Sequence, residues 1–269
     1  MPLKDGITIG CAGLGNMGGA IIGGLAKQFP KERLFGYDKD HDKAVGISHH
    51  VTLCTSVAEL VSNSDILIIA VKPDVVKSLL TEIAPVIDGT LIISIAAGIT
   101  IGAIEETAGS GKKVIRVMPN TPALVGEGMA VLAPNANCDQ ADLAHAEEIF
   151  SLLGKTLILP EKHFDAVTAL SGSGPAYGFT MIQAMADAGV KLGIPRDKAQ
   201  LLAAQTLKGS AEMIVTSGDD PIALRGKVCS PGGTTIAAVH VLERAAFSGI
   251  VMDAIEEAAV VSAKLGMKK

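Results

Sequence analysis

The sequence predicts an α/β protein in which an N-terminal doubly wound sheet, residues 1–160, is followed by an all-helical part, residues 161–269. Three observations predict it. An apolar run over 7–12 enters the turn Gly13-Leu14-Gly15-Asn16-Met17-Gly18. Continuous apolar runs of strand length then alternate with helical patterns as far as residue 159, as in a parallel sheet covered on both faces. Beyond Pro160 no strand-like run recurs, and the chain is rich in Ala, Met, Leu, Glu and Lys, all good helix formers.

The first strand leads straight into the glycine turn. Gly13 permits a tight strand-to-helix reversal, Gly15 lets the backbone approach a pyrophosphate, and Gly18 lets the helix pack close to the strand. Asn16 and Met17 fall in the first helical turn, whose free amides and dipole favour an anion. A second strand, Arg33-Leu34-Phe35-Gly36-Tyr37, ends in Asp38. That acid lies about 20 residues beyond Gly18, where a partner for a ribose hydroxyl belongs. The combination predicts a dinucleotide-binding sheet.

The remaining elements follow in order. A polar helix over 40–48 leads to a strand over 51–54, a short helix from Ser56 and the wholly apolar strand 65–71. The next helix places Val75, Val76, Leu79, Leu80 and Ile83 on one face. Strands follow over 91–95, 113–118 and 129–132, then a helix over 139–153 and a last edge strand over 156–159. In the second part the pattern predicts helices over 164–190, 197–216, 221–227, 234–245 and 247–265. The first of these is interrupted at Ser171-Gly172-Ser173-Gly174-Pro175. The junction at Pro160 is short and stiff, which suits a cleft more than two independent modules.

Composition limits the function classes. A chain of 269 residues has room for two domains. Hydrophobic residues make up 48% and charged residues 19%, with a mean hydropathy of +0.41, so some apolar surface is expected to be hidden between subunits of a homo-oligomer. No apolar run approaches the ~20 residues a membrane span needs, and the N-terminus does not resemble a signal peptide. A net charge of −5, no Trp and 3% aromatics leave neither the basic footprint nor the stacking platform of a nucleic-acid binder. A small-molecule partner is expected instead. Cys11, Cys54, Cys138 and Cys229 are scattered, with no C-x-x-C pair and no zinc spacing, which predicts buried thiols in a reducing cytoplasm and no metal.

Three loops follow apolar strands at their carboxyl ends, where doubly wound sheets bind ligands. These are Val71-Lys72-Pro73, Ser94-Ile95-Ala96-Ala97-Gly98 and Met118-Pro119-Asn120-Thr121-Pro122. Val71, Lys72, Pro73, Ala96, Ala97 and Asn120 are therefore expected on the cofactor. In the helical part, Ser230-Pro231-Gly232-Gly233-Thr234-Thr235 concentrates amide donors and hydroxyls at the positive end of a helix dipole and predicts an anion site. No histidine stands out as a general base.

Taken together, GLGNMG at 13–18, AVKP at 70–73, SIAAG at 94–98, RVMPNTPALVGEGM at 116–129, ALSGSGPAY at 169–177 and SPGGTTIAAVHVLE at 230–243 resemble the pyrroline-5-carboxylate reductases, in order, over nearly the whole chain. The resemblance implies NAD(P)H-dependent reduction of the cyclic imine 1-pyrroline-5-carboxylate to L-proline. It also implies a Rossmann domain, and a helical domain that interlocks with a second subunit, with larger rings of dimers occurring in the family. Carried onto this sequence, it puts the substrate carboxylate on the backbone of Gly232, Gly233 and Thr234 beside Ser230, and the ring nitrogen at the Thr235 hydroxyl, the expected catalytic group. Asp38 stands where many relatives carry small polar or basic residues, which predicts NADH in preference to NADPH. The competing reading is another NAD(P)-dependent imine or β-hydroxyacid reductase. β-Hydroxyacid dehydrogenases place a catalytic lysine on the first long helix of the second domain, and this chain has no lysine between Lys162 and Lys191.

Overall fold

The computed structural model describes Leu3 and residues 6–267. Eight strands form one sheet: β1 (Ile9–Ala12), β2 (Leu34–Tyr37), β3 (Thr52–Leu53), β4 (Ile66–Ile69), β5 (Leu91–Ser94), β6 (Val114–Met118), β7 (Gly128–Pro134) and β8 (Gly154–Ile158). Their spatial order is β3-β2-β1-β4-β5-β6-β7-β8. The first six strands are mutually parallel, in the doubly wound order that reverses direction between β1 and β4. β7 runs antiparallel to β6, and β8 runs parallel to β7.

Burial on both faces explains the unbroken apolar strands. In β4, Ile66 and Ile68 join one core cluster while Leu67 and Ile69 join the other, the two-residue period of a pleated strand. The first cluster is closed by Ile21, Ile22 and Leu25 of α1 (Asn16–Leu25) and by Ile149 and Phe150 of α6 (Gln140–Ser151). Between them in sequence, α2 (His41–Ile47) adds Ala44 and Ile47 to the same side. The second cluster is closed by α3 (Val57–Ser62), α4 (Pro73–Ile83) and α5 (Ile101–Ala108) through Leu60, Leu80, Ile83 and Ile104. Of the helical period read from Val75, Val76, Leu79, Leu80 and Ile83, the last four form the buried face of α4 and Val75 is half-buried.

The MPNTP stretch differs from a plain loop. Thr121–Val125 forms a 3-10 turn ending at Gly126, whose φ of +76° lets the chain reverse into antiparallel β7. Prolines at 119 and 122 fix the entry to that reversal, a geometry the strand pattern alone does not reveal.

By packing, the described chain separates into two compact units: the chain up to Ser173 together with the stretch from Ala258, and Gly174–Glu257. Several contacts hold residues beyond β8 to the sheet. Arg116 of β6, buried at 6% exposure, pairs with Glu161 at 2.9 Å and lies 4.7 Å over the Phe164 ring. The same Glu161 oxygen accepts the Ile101 amide at the start of α5, and the Ser262 hydroxyl donates to Asp165. α7 (Phe164–Val167) then passes into a π-helical segment, Thr168–Gly172, at the small-residue interruption.

The second unit contains α8 (Gly174–Lys191), α9 (Arg196–Ser217), α10 (Pro221–Val228), α11 (Thr234–Arg244) and the first part of α12 (Phe247–Met267). Its buried core is small, centred on Ala186, Ala199 and Ala203 where α8 packs on α9. Large apolar side chains on every helix of this unit remain exposed, among them Phe179, Leu201, Met213, Ile222, Val241 and Met252. An apolar surface of this extent marks an association face. Among the described residues no single helix is long and apolar enough to cross a membrane; α11 and α12, bent by 51°, reach that apolarity only as a pair.

Candidate active site

The β1–α1 turn carries the geometry of a phosphate cradle. Gly13 has φ +96°, its amide donates to Tyr37 at 2.8 Å, and a Cβ there would lie 2.7 Å from the Ala70 backbone. A Cβ on Gly18 would meet the Gly13 carbonyl at 2.0 Å, whereas one on Gly15 would meet nothing within 4 Å. Thus Gly13 and Gly18 are required by close packing, and Gly15 faces open space where a ligand backbone can approach. Gly15 is also the N-cap of α1 and supplies no side-chain cap, which leaves first-turn amides for an anion.

Asp38, at the end of β2, lines the crevice beside this turn. Its Oδ2 accepts the Leu14 amide at 2.7 Å and its Oδ1 accepts the Asp40 amide at 2.9 Å. The carboxylate is therefore oriented by two backbone donors and keeps lone pairs for a hydroxyl. Behind it, burial and then the Asp38 charge push the Cys11 thiol up to about 12, so Cys11 is a neutral part of the core.

A cavity of about 450 Å³ runs along this crevice, lined by Gly13, Gly15, Asn16, Asp38 and Lys72 among others. A second hollow of about 230 Å³, lined by Met17, Pro73, Ala96, Ala97, Met118 and Pro119, shares Ala70 and Val71 with it at the end of β4. The fingerprint glycines, Asp38, and the loops after β4 and β5 are thus brought together at the strand switch point. The sequence reading missed Lys43, Val57 and Glu82, which also line the larger cavity. Their signal was positional, since they lie in the helices that follow β2, β3 and β4. The Lys43 ammonium pairs with Asp40 at 2.9 Å, and this partner raises its pKa.

Asn120 departs from its expected place on the cofactor. Its Nδ2 donates to the Ser171 carbonyl at 3.1 Å and to the Ser171 hydroxyl at 3.3 Å, while its Oδ1 accepts the Met129 amide at 2.9 Å. The amide is engaged by the protein itself, because the 3-10 reversal brings β7 and the π-helical segment against it.

In the second unit, Ser230-Pro231-Gly232-Gly233 closes a turn in which the Gly233 amide donates to the Ser230 carbonyl at 3.0 Å. Gly232 has φ +67°, and a Cβ on Gly233 would strike the Ser230 hydroxyl oxygen at 2.3 Å. The sequence expectation that Gly233 offers a free amide is corrected accordingly. α11 starts at Thr234 with no side-chain cap, so the Thr234 and Thr235 amides remain at its positive end. Neither threonine hydroxyl is hydrogen-bonded among the described residues.

The doubly wound sheet, its uncapped glycine turn and the crevice beside Asp38 define a pyridine-nucleotide-dependent oxidoreductase, with free first-turn amides for a pyrophosphate and a carboxylate beside them for a ribose hydroxyl. Residues 8–98 match the family model described as NADP oxidoreductase, coenzyme F420-dependent, and residues 161–265 match the one for pyrroline-5-carboxylate reductase dimerisation. The chain belongs to the pyrroline-5-carboxylate reductase family. It is 41% identical to the pyrroline-5-carboxylate reductase of Escherichia coli (strain K12), over 96% of this chain and 97% of that one. The crystal structure of Plasmodium falciparum pyrroline carboxylate reductase with NADP bound superposes with a TM-score of 0.86 at 38% identity, covering 98% of this chain and 100% of that one. The Coxiella burnetii pyrroline-5-carboxylate reductase gives a TM-score of 0.92 at 32% identity, covering 96% and 98%.

Proposed function

We propose that this protein reduces 1-pyrroline-5-carboxylate to L-proline, the last step of proline biosynthesis, with hydride from a reduced pyridine nucleotide. The observation that carries the reading is the SPGGTT turn, which ends in an uncapped helix start with two unbonded threonine hydroxyls. A carboxylate needs donors of that kind, and an imine nitrogen needs a hydroxyl beside it. When bound, the nucleotide supplies the hydride for the imine carbon, and the nitrogen takes up a proton as the secondary amine forms.

The chain's own residues bind and orient. Gly13, Gly15 and Gly18 with the first-turn amides at Asn16 and Met17 hold the pyrophosphate. Asp38 accepts from a ribose 2′-hydroxyl and repels a 2′-phosphate, which favours NADH. Val71, Lys72, Pro73, Ala96 and Ala97 line the path to the nicotinamide. Ser230, Gly232, Gly233 and Thr234 shape the turn that receives the carboxylate, its free donors being chiefly the Thr234 and Thr235 amides. Thr235 donates a hydrogen bond to the ring nitrogen, or relays to it a proton taken up in turn from water, so that the hydroxyl is regenerated. Imine reduction needs no strong acid residue beyond this, because a protonated imine is already electrophilic and alignment is the main requirement.

Functionally the chain divides near Pro160 into a nucleotide domain and a helical domain that pairs with a second copy in a homodimer or a larger ring of dimers. The exposed apolar helix faces support that pairing, and four cysteines without a disulfide support a reducing, cytoplasmic setting. The test is oxidation of NADH and NADPH by the purified protein with 1-pyrroline-5-carboxylate. Proline-forming turnover with NADH favoured is expected; folded protein inactive with both nucleotides overturns the assignment.

A further inference from the structure

We propose that Asn120 is a positioning residue for hydride transfer, acting through the π-helical segment and Met118 and touching neither nucleotide nor substrate. The inference rests on the reading of the smaller hollow as the nicotinamide end of the cofactor site. Met118 and Pro119, the two residues before Asn120, line that hollow together with Met17, Ala96 and Ala97. Asn120 itself reaches the other way. One side-chain amide spans three pieces of chain, joining the end of β6 to Met129 at the start of β7 and to Ser171 in the π-helical segment.

That segment lies against Met118. A Cβ on Gly172 would come 2.5 Å from the Met118 Cε, so a methionine on one side and a side-chain-free residue on the other fill one space. The segment's own register is the wide i to i+5 kind, closed by Ser173 donating to the Thr168 carbonyl at 2.8 Å. Such a turn is poorly self-specified, and the Asn120 bond to the Ser171 carbonyl selects where it sits. Met has three flexible torsions, so its end goes where its neighbours leave room. Asn120 therefore sets the wall of the hollow at a distance. Hydride transfer is sensitive to this, because displacement of about 1 Å of a reacting partner can cost ~100-fold in rate.

The experiment is single-turnover oxidation of bound reduced nucleotide at saturating 1-pyrroline-5-carboxylate, in Asn120→Ala and in Asn120→Asp, beside the native chain. Asn120→Asp keeps size and the Met129 acceptor but loses the donors to Ser171. The amplitude counts competent sites and the rate constant reports alignment. Both variants are expected to keep most of the amplitude while the rate constant falls at least ~10-fold, with nucleotide affinity changed less than the rate. A rate constant within about twofold of native in either folded variant overturns the proposal. So does a loss confined to amplitude or melting temperature, which would make Asn120 a structural brace alone. A native chain without turnover would overturn the functional reading and this proposal with it, so the native measurement comes first and separates the two failures.

Discussion

The Asp38 carboxylate accepts the Leu14 amide at 2.7 Å, so the acid at the end of β2 is a fixed part of the glycine turn it faces. On the proposed reading, one group both holds the loop and reads the ribose. Asp38→Asn keeps an acceptor for Leu14 and removes the charge. Its NADPH-to-NADH ratio of kcat/KM is expected to rise ~10-fold, the effect of about 1.4 kcal/mol of lost repulsion near a surface. Asp38→Ala, which also frees the loop, should lose efficiency with both nucleotides. An unchanged cofactor ratio in Asp38→Asn would reject the discriminating role.

Thr235 sits one position inside α11 while the Gly233 amide is used within the turn. A proton-donating role predicts that Thr235→Ala lowers kcat by roughly 10-fold, at the lower end of the usual effect of a positioned proton-transfer group because water can substitute. Thr235→Ser should restore most of it. Because the Thr235 hydroxyl caps nothing at the start of α11, little change in stability is expected, and an Ala variant with native kcat would reject the role in proton transfer.

Ala246, between α11 and α12, has φ 54°, the left-handed region that disfavours a Cβ. Ala246→Gly removes this strain and is expected to stabilise the protein by up to about 1 kcal/mol, offset in part by the freer unfolded chain. Chemical denaturation checks the sign. A loss of stability would mean that the entropy of the freer unfolded chain outweighs the strain at this exposed position.

The Cys11 thiol, raised to about 12 by burial and by Asp38, gives a pH signature. Its unfolded value lies near 9.0, so between about 9 and 12 the unfolded chain has lost a proton the folded chain retains. The stability this group contributes is whole below pH 9 and lost as pH rises toward 12. Unfolding free energy from pH 8 to 11 should fall more steeply in the native chain than in Cys11→Ala. Equal slopes would contradict the assignment of Cys11 to the sealed core.

Much of this architecture was legible in the chain itself. The apolar run at Ile66–Ile69 betrays two-sided burial because both of its alternating faces are covered, and the period of α4 follows from one buried face. Gly13 and Gly18 were readable because their closest contacts are local to the turn or to the neighbouring strand end. The hydrogen bonds of Asn120 were not readable, since its partners Met129 and Ser171 depend on a 3-10 reversal and a π-helical register that no periodicity encodes. Gly233 was misread for a related reason. Counting amides along a glycine turn does not reveal which of them the turn consumes.

Isotope transfer examines the proposed reaction most directly. Nucleotide deuterated at the transferable C4 position is incubated with the protein and 1-pyrroline-5-carboxylate, and the product is analysed by mass and by NMR. Direct hydride transfer to the imine carbon predicts L-proline carrying a single deuterium at C5, in an amount matching the nucleotide oxidised. Nucleotide oxidation without labelled proline, or no oxidation by folded protein, would contradict it.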